Sequence, residues 1–216
     1  MHRSLYVFQG KPAMIKLFAT ILPIALAAML PHAGALAADD LATPQMEIGT
    51  NFWDIAWGGP KNQPFKTPWN EFEPSKDPWN PVFIEEIEIY TCFRFMDWIK
   101  TNSVERSWEA GKDWHKSWDT RTQKDDPVQN PVAYEWMIDL CTRTGKDMWI
   151  TVPHVVDDDY VKNLAQLIYQ TLDPKLKCYV EWSNETWNGS FTQAAYVNKK
   201  AKELPESILA RYKWRN

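Results

Sequence analysis

From Met46 onward, short runs of β-branched and aromatic residues alternate with stretches of helical period, the pattern of a parallel β/α architecture. Four strands are expected, at Glu47–Trp57, Tyr90–Trp98, Lys146–Pro153 and Leu176–Ser183. Between them, Asn80 followed by Pro81 is a helix start signal, and Val82, Ile84, Ile87 and Ile89 supply an apolar face among three acids. Asn130-Pro131 repeats the signal ahead of Val132–Thr144, where Trp136, Met137, Leu140 and Cys141 share a side and Gly145 is the stop. Asp157–Asp159 cap and charge the first turn of a third helix with the stripe Val161, Leu164, Leu167 and Ile168, closed by Pro174. A fourth helix is expected from Phe191 to about Leu204, ahead of Pro205.

The amino-terminal region breaks this pattern. Lys11 and Lys16 lead into an uncharged apolar run, Leu17–Leu30, ended by Pro31 and followed by Ala35-Leu36-Ala37, a small-x-small cleavage pattern. The run is short of the roughly 20 apolar residues of a spanning helix, so residues 1–37 read as a signal peptide rather than an anchor, and the product as secreted or periplasmic. Met14 offers an alternative start with a more compact leader. The 216 residues less these 37 leave 179, residues 38–216, enough for one domain with a real core.

A formal charge of −4, with basic residues scattered among acids, excludes the cationic stripe that nucleic-acid binding needs. No later segment is apolar enough to enter a membrane once the leader is gone. Three cysteines, Cys92, Cys141 and Cys178, allow one disulfide at most, and their apolar neighbours favour buried thiols. The 13 tryptophans, with eight tyrosines and nine phenylalanines, exceed what such a core requires and crowd between Trp53 and Trp118. Two long Trp-rich loops, the first also rich in Pro, hold many of them, and Trp69, Trp79, Trp108, Trp114 and Trp118 are readable either as packing anchors or as stacking platforms. Glycine-rich phosphate loops, a G-x-S-x-G elbow and C-x-x-C are absent from the sequence, which calls for no cofactor.

The chemistry concentrates in Cys178–Phe191, CYVEWSNETWNGSF, where Asn184-Glu185 follows a strand directly and Trp182 and Trp187 flank the pair as candidate substrate surfaces. Glu185 is the candidate proton donor. Period-2 alternation puts Glu181, Ser183 and Glu185 on one side, and repulsion between the two carboxylates would raise the proton affinity of one. Asp54, Asp97 and Trp98 stand at expected strand ends and are candidates to line a cleft; solvated turns would read the same. His154 with Asp157, Asp158 and Asp159 admits a metal reading, but capping and the helix dipole already account for the aspartates, and no metal is expected. A glycan on Asn184 would block the proposed site; the leader suits bacterial export equally well, where glycosylation sequons are idle, so those at Asn184 and Asn188 are read as coincidental.

Taken with IGTNFWDIAW, FRFMDW, TN and WITVPHVVDDDYV upstream, the segment YVEWSNETWN resembles the retaining glycoside hydrolases of clan A, in a secreted, cellulase-like branch. The resemblance covers most of Ile48–Tyr196. It implies a (β/α)8 barrel of which this chain carries about the first four units, and a β-linked polysaccharide or oligosaccharide as substrate. It makes Glu185 the general acid/base, Asn184 the partner of the sugar 2-hydroxyl, Arg94 the arginine that steadies the nucleophile and His154 a residue at the rim. Arg94 is also readable as a simple counter-charge for buried carboxylates. The family's nucleophile, at the end of a seventh strand, has no match here. Glu181 lies four residues behind Glu185, roughly 13 Å along a strand at about 3.3 Å per residue, against the 5–5.5 Å or so of a retaining pair. The expectation is therefore a secreted retaining glycoside hydrolase or a truncated fragment of one, inactive alone, with two open sheet edges through which copies could associate. A non-catalytic carbohydrate-binding protein and a degenerate remnant are the alternatives.

Cleavage is predicted after Ala37 or Ala38, where Ala35 and Ala37 offer the peptidase its small side chains. Amino-terminal sequencing of exported protein is the check, and a mature start upstream of Pro31 would refute it.

Overall fold

The computed structural model describes residues 6–9 (backbone only), 46–52, 63–75, 77–102, 117–203 and 205. Its parallel strands are β2 (Gly49–Asn51), β3 (Cys92–Arg94), β4 (Asp147–Val152) and β5 (Lys177–Trp182), side by side in chain order, each pair of neighbours parallel. One helix precedes each later strand: α1 (Pro81–Glu86), α2 (Tyr134–Thr144) and α3 (Asp158–Thr171), with α4 (Thr192–Lys202) after β5. The fold is therefore α/β with a four-strand parallel sheet. An additional strand, β1 (Tyr6–Gln9), lies antiparallel along β5. One of the two edges expected to be open is thus covered, by residues 6–9, while β2 stands at the other edge of the sheet. Among the described residues no helix is long and apolar enough to cross a membrane.

The elements form where the local chemistry directs. Asn80 Oδ1 accepts from the Val82 N–H at 3.1 Å with Pro81 first in α1, and Asp157 Oδ1 accepts from Tyr160 N–H at 2.8 Å to open α3. Gly145 closes α2 at φ 67°, a left-handed conformation that glycine adopts without steric cost. The start of α2 differs from expectation. It begins at Tyr134, after the Asn130-Pro131 signal, because the buried Gln129 accepts from the Ala133 N–H at 3.0 Å and sets the entry. The buried stripe of α3 is rotated as well. Tyr160 and Leu164 are buried, with Leu167 and Ile168 packed behind them, whereas Val161 is exposed, because the Tyr160 hydroxyl donates to that of Tyr134 at 3.2 Å and pulls that face inward. In α1 Phe83 is buried and Val82 exposed; just beyond it Ile87, the C-cap, is buried and Ile89 exposed.

Strand pleating divides the sheet into two faces. Phe93, Met148, Ile150, Val152 and Cys178 alternate onto one face and join Phe83, Met137, Leu140, Cys141, Tyr160 and Leu164 in a single core under α1–α3. The loop aromatics belong to this core. Phe65, Phe72 and Trp79 are buried against Trp136, and Trp79 Nε1 donates to Asp139 Oδ2 at 2.6 Å. Phe52 gathers Phe83, Phe93, Phe95 and Trp98 at centroid separations of 5.0–5.6 Å. Trp118 stacks on Tyr134 and carries the Arg121 guanidinium 4.1 Å above its ring, while Arg121 binds Glu135 at 2.6 Å. Trp69, half-buried, also packs on the core. Trp108 and Trp114 lie outside the described residues.

All three cysteines are free thiols. Burial pushes Cys92 and Cys178 up to about 12, with Asp147 adding to the effect, and holds Cys141 well above its ordinary value. Because the folded state favours the neutral thiol, this stabilisation is complete below the unfolded value of about 8.5 and is lost as pH rises toward the folded one. The predicted outcome is negligible reaction with an aromatic disulfide reagent at pH 8 until denaturant is added. The urea midpoint should also fall steadily from about pH 8.5 upward, with a shallower slope in Cys178→Ala. Rapid labelling of native protein would contradict the burial.

Candidate functional site

The second face of the sheet carries polar and aromatic groups. Register sets Asn51 beside Arg94, Arg94 beside Trp149 and Trp149 beside Tyr179, so one residue from each parallel strand stands in a single row. The next row toward the carboxyl ends brings Thr151 beside Glu181. Arg94 is the hub. Its Nε and Nη2 donate to Glu181 Oε2 at 3.2 and 2.7 Å, its Nη1 to Asn51 Oδ1 at 3.2 Å, and its Nη2 also to Asn184 Oδ1 at 3.0 Å. Trp149 Nε1 adds a third donor to Glu181 Oε2 at 3.2 Å, and the guanidinium lies 5.4 Å from the Trp149 ring centroid. With side-chain exposures of 16% for Arg94 and 8% for Glu181, this is a largely desolvated, multiply hydrogen-bonded ion pair.

The strand ends at Trp182, and the chain then turns through two left-handed residues, Ser183 at φ 55° and Glu185 at φ 42°. A non-glycine residue there costs roughly 1–2 kcal/mol, and such strain gathers at functional sites. The turn ends the period-2 alternation, so Glu185 does not continue the side of Glu181. Asn184, not Glu185, reaches Arg94. The Glu185 carboxylate instead accepts from Asn188 Nδ2 at 2.9 Å, and its carbonyl from the Asn188 N–H at 2.8 Å. The expected repulsion between Glu181 and Glu185 is thereby replaced by an ion pair of Glu181 with Arg94. Asn184 is buried with both ends of its amide engaged.

Of the other candidates, Asp97 accepts from Asn51 Nδ2 at 2.7 Å and so joins the Arg94 network. Trp98 is 2% exposed and packed against Phe52, Phe83 and Phe95. It is a core residue and lines no cleft, because β3 ends at Arg94 and the turn after it folds back over the core. His154 is buried below the turn, not on a rim, with Nδ1 3.4 Å from Ser183 Oγ and its ring 4.9 Å from that of Tyr196 on α4. Trp182 and Trp187 are the exposed indoles beside Asn184-Glu185, 53% and 59% accessible. Asp54 lies outside the described residues. Among the described residues no three His, Cys, Asp or Glu side chains are grouped to hold a metal ion, and Asp157 serves as a helix cap.

Five residues of this arrangement were given no role from the sequence: Asn51, Trp149, Tyr179, Asn102 and Gln193. The first three were accessible to strand parity, being on the same alternation as Arg94 and Glu181. Asn102 and Gln193 are brought to Asn184 from a loop and from α4, and only tertiary structure joins them. Comparison with protein-family models, with curated proteins and with solved structures found no match for this chain.

Removing one partner of a buried pair strands the other, typically at about 3–5 kcal/mol, whereas removing both does not. Arg94→Met is predicted to lower unfolding free energy by about 3 kcal/mol, and Arg94→Met with Glu181→Leu to recover most of that loss. Urea denaturation of the two variants checks this; equal destabilisation would show that the pair is screened by solvent.

Proposed function

We propose that this chain supplies the acid/base side of a retaining glycoside hydrolase site in an exported protein, built on the first four units of a (β/α)8 barrel and directed at β-linked polysaccharide. The observation that carries the reading is Asn184-Glu185 at the carboxyl end of the fourth parallel strand, with Asn184 bonded to the arginine of the second. In barrels of this kind the carboxyl ends of the strands build the site. There, Glu185 protonates the departing glycosidic oxygen, and the Asn188 amide aligns its carboxylate. Asn184 hydrogen-bonds a sugar hydroxyl, and the half-buried pair Trp149 and Tyr179, 6.1 Å apart, offers aromatic surface on the same face.

A double displacement needs a second carboxylate about 5–5.5 Å from the acid. Glu181 is a poor nucleophile because one of its oxygens is already bound by Arg94 and Trp149. Its charge is used to hold Arg94, so the attacking carboxylate is assigned to further strands of the barrel. A carbohydrate-binding role without catalysis is the second reading, favoured by the exposure of Trp182 and Trp187 beside the turn. Self-association through the sheet edges is compatible with either reading. The β2 edge offers itself directly, and the β5 edge once cleavage removes β1.

The 216-residue chain is predicted to show negligible turnover of aryl β-glycosides, β-glucans, β-mannans and xylans. A chain carrying four further strands is predicted to be active, and to lose at least about a hundredfold in kcat on Glu185→Gln, the scale of general acid catalysis. Steady-state assays of both chains decide the matter. Hydrolysis by the short chain, abolished by Glu185→Gln, would show that the partner carboxylate is already present; binding of glucans without hydrolysis by either chain would favour the second reading.

A further inference from the structure

Behind Asn184 lies a chain of amides whose orientation is forced from both ends. A guanidinium can only donate, so the Asn184 oxygen must face Arg94 Nη2, 3.0 Å away, and the Asn184 nitrogen must face Asn102, whose Oδ1 accepts at 2.9 Å. From the opposite end, the Asn184 backbone carbonyl can only accept, so Gln193 must turn its nitrogen toward it, at 2.7 Å. The same Gln193 nitrogen donates to Asn102 Oδ1 at 2.8 Å. Asn102 Oδ1 therefore accepts twice, and Gln193 Nε2 donates twice. Flipping Asn184 would set N–H groups against the guanidinium and oxygen against oxygen at Asn102, so the arrangement admits one polarity only.

Gln193 has no accessible surface, and its Oε1 is buried without a hydrogen-bond partner among the described residues. An unsatisfied buried acceptor is a cost that an apolar side chain of the same length would not incur. What offsets it is the donor end, which grips Asn184 through the main chain and, by way of Asn102, through the side chain.

We infer that Asn102 and Gln193 are positioning residues that fix the Asn184 side-chain amide as a one-way hydrogen-bond donor, leaving its remaining N–H for an acceptor oxygen on a ligand. The use of that donor toward a sugar hydroxyl rests on the glycoside hydrolase reading above; the orientation itself does not. The relay treats its two members in opposite ways. Asn102 acts through its acceptor alone, so aspartate preserves the function and isosteric leucine removes it. Gln193 acts through its donor alone, so glutamate, which sets a carboxylate against two oxygens, fails as methionine does. A residue needed only for packing would not distinguish these charged and neutral isosteres in that pattern.

The test is amide hydrogen exchange in the full chain uniformly labelled with 15N, the Asn184 side-chain signals being identified by their loss in Asn184→Ser. In the wild type and in Asn102→Asp the Asn184 amide should be well dispersed, with exchange rates within about twofold of each other. In Asn102→Leu, Gln193→Met and Gln193→Glu it should exchange about tenfold faster, the scale expected when one hydrogen bond is lost. The Ser183 backbone amide, bonded to the Val152 carbonyl at 2.7 Å, should stay protected throughout and reports that the local fold is intact. Aspartate and leucine behaving alike at position 102, or glutamate behaving as glutamine at 193, would overturn the inference. Should the Gln193 variants fail to fold, the half-buried Asn102 pair decides it alone. Because this readout needs neither substrate nor turnover, its outcome is independent of whether the site hydrolyses glycosides. In a longer chain with activity, the companion measurement is kcat against KM: Asn102→Leu should impair kcat/KM at least about tenfold and Asn102→Asp should restore it.

Discussion

A guanidinium kept largely out of water must have its N–H groups and its charge answered, and Arg94 obtains those answers from every strand of the parallel sheet. Asn51 on β2, Trp149 on β4 and Glu181 on β5 converge on it or on its counter-ion, and Asn184 completes the set from the turn beyond β5. Strands of only three residues, as β2 and β3 are, make few ladder bonds of their own. The polar row across their open face therefore acts as a register lock. A slip of one residue in any strand would carry its member of the row to the apolar side and leave a buried charge uncompensated.

The opposite face solves a different problem with aromatic rings. The described part of the long loop before α1 has little backbone structure of its own beyond the bridge between Phe65 and Trp79, yet it is held because Phe65, Phe72 and Trp79 enter the core against Trp136. Rings of this size bury much area for few rotatable bonds, so ordering them costs little conformational entropy relative to what their burial contributes. The tryptophan excess is thus largely structural where the residues are described. The aromatics left beside the turn are few: Trp149 and Tyr179 on the open face, Trp182 and Trp187 at the surface.

The turn itself is where stability and the proposed function meet. Two consecutive strand-end positions of ordinary alternation would have pointed Ser183 and Glu185 along with Glu181. The chain instead accepts two left-handed residues around Asn184 and restrains them from three sides, through Arg94, through Ser183 to His154, and through Asn102 and Gln193. A carboxylate carried on such a turn is held by the frame and not by its own contacts, of which Asn188 is the side-chain partner. On the function proposed above, its working partner is a ligand.

Much of the local structure was determined by the sequence alone, because it depends on groups within a few residues of each other. The Asn80-Pro81 start, the Asp157 cap, the Gly145 stop and the cores of β4 and β5 follow from capping chemistry and period-2 burial. The same parity put Arg94 and Glu181 on strand faces, and Asn184-Glu185 at a strand end. Tertiary structure decided what those groups do to one another. It gave Glu181 to Arg94, ended the alternation before Glu185, moved Trp98 from an expected cleft and His154 from an expected rim into the interior, and turned the stripe of α3 by way of the Tyr134–Tyr160 contact. These outcomes were illegible in one dimension for a common reason. Each rests on a hydrogen bond, ion pair or ring contact between residues dozens of positions apart, such as Arg94 with Glu181 or Asn102 with Gln193, and the energy of such a contact depends on distance and desolvation that only the folded chain sets.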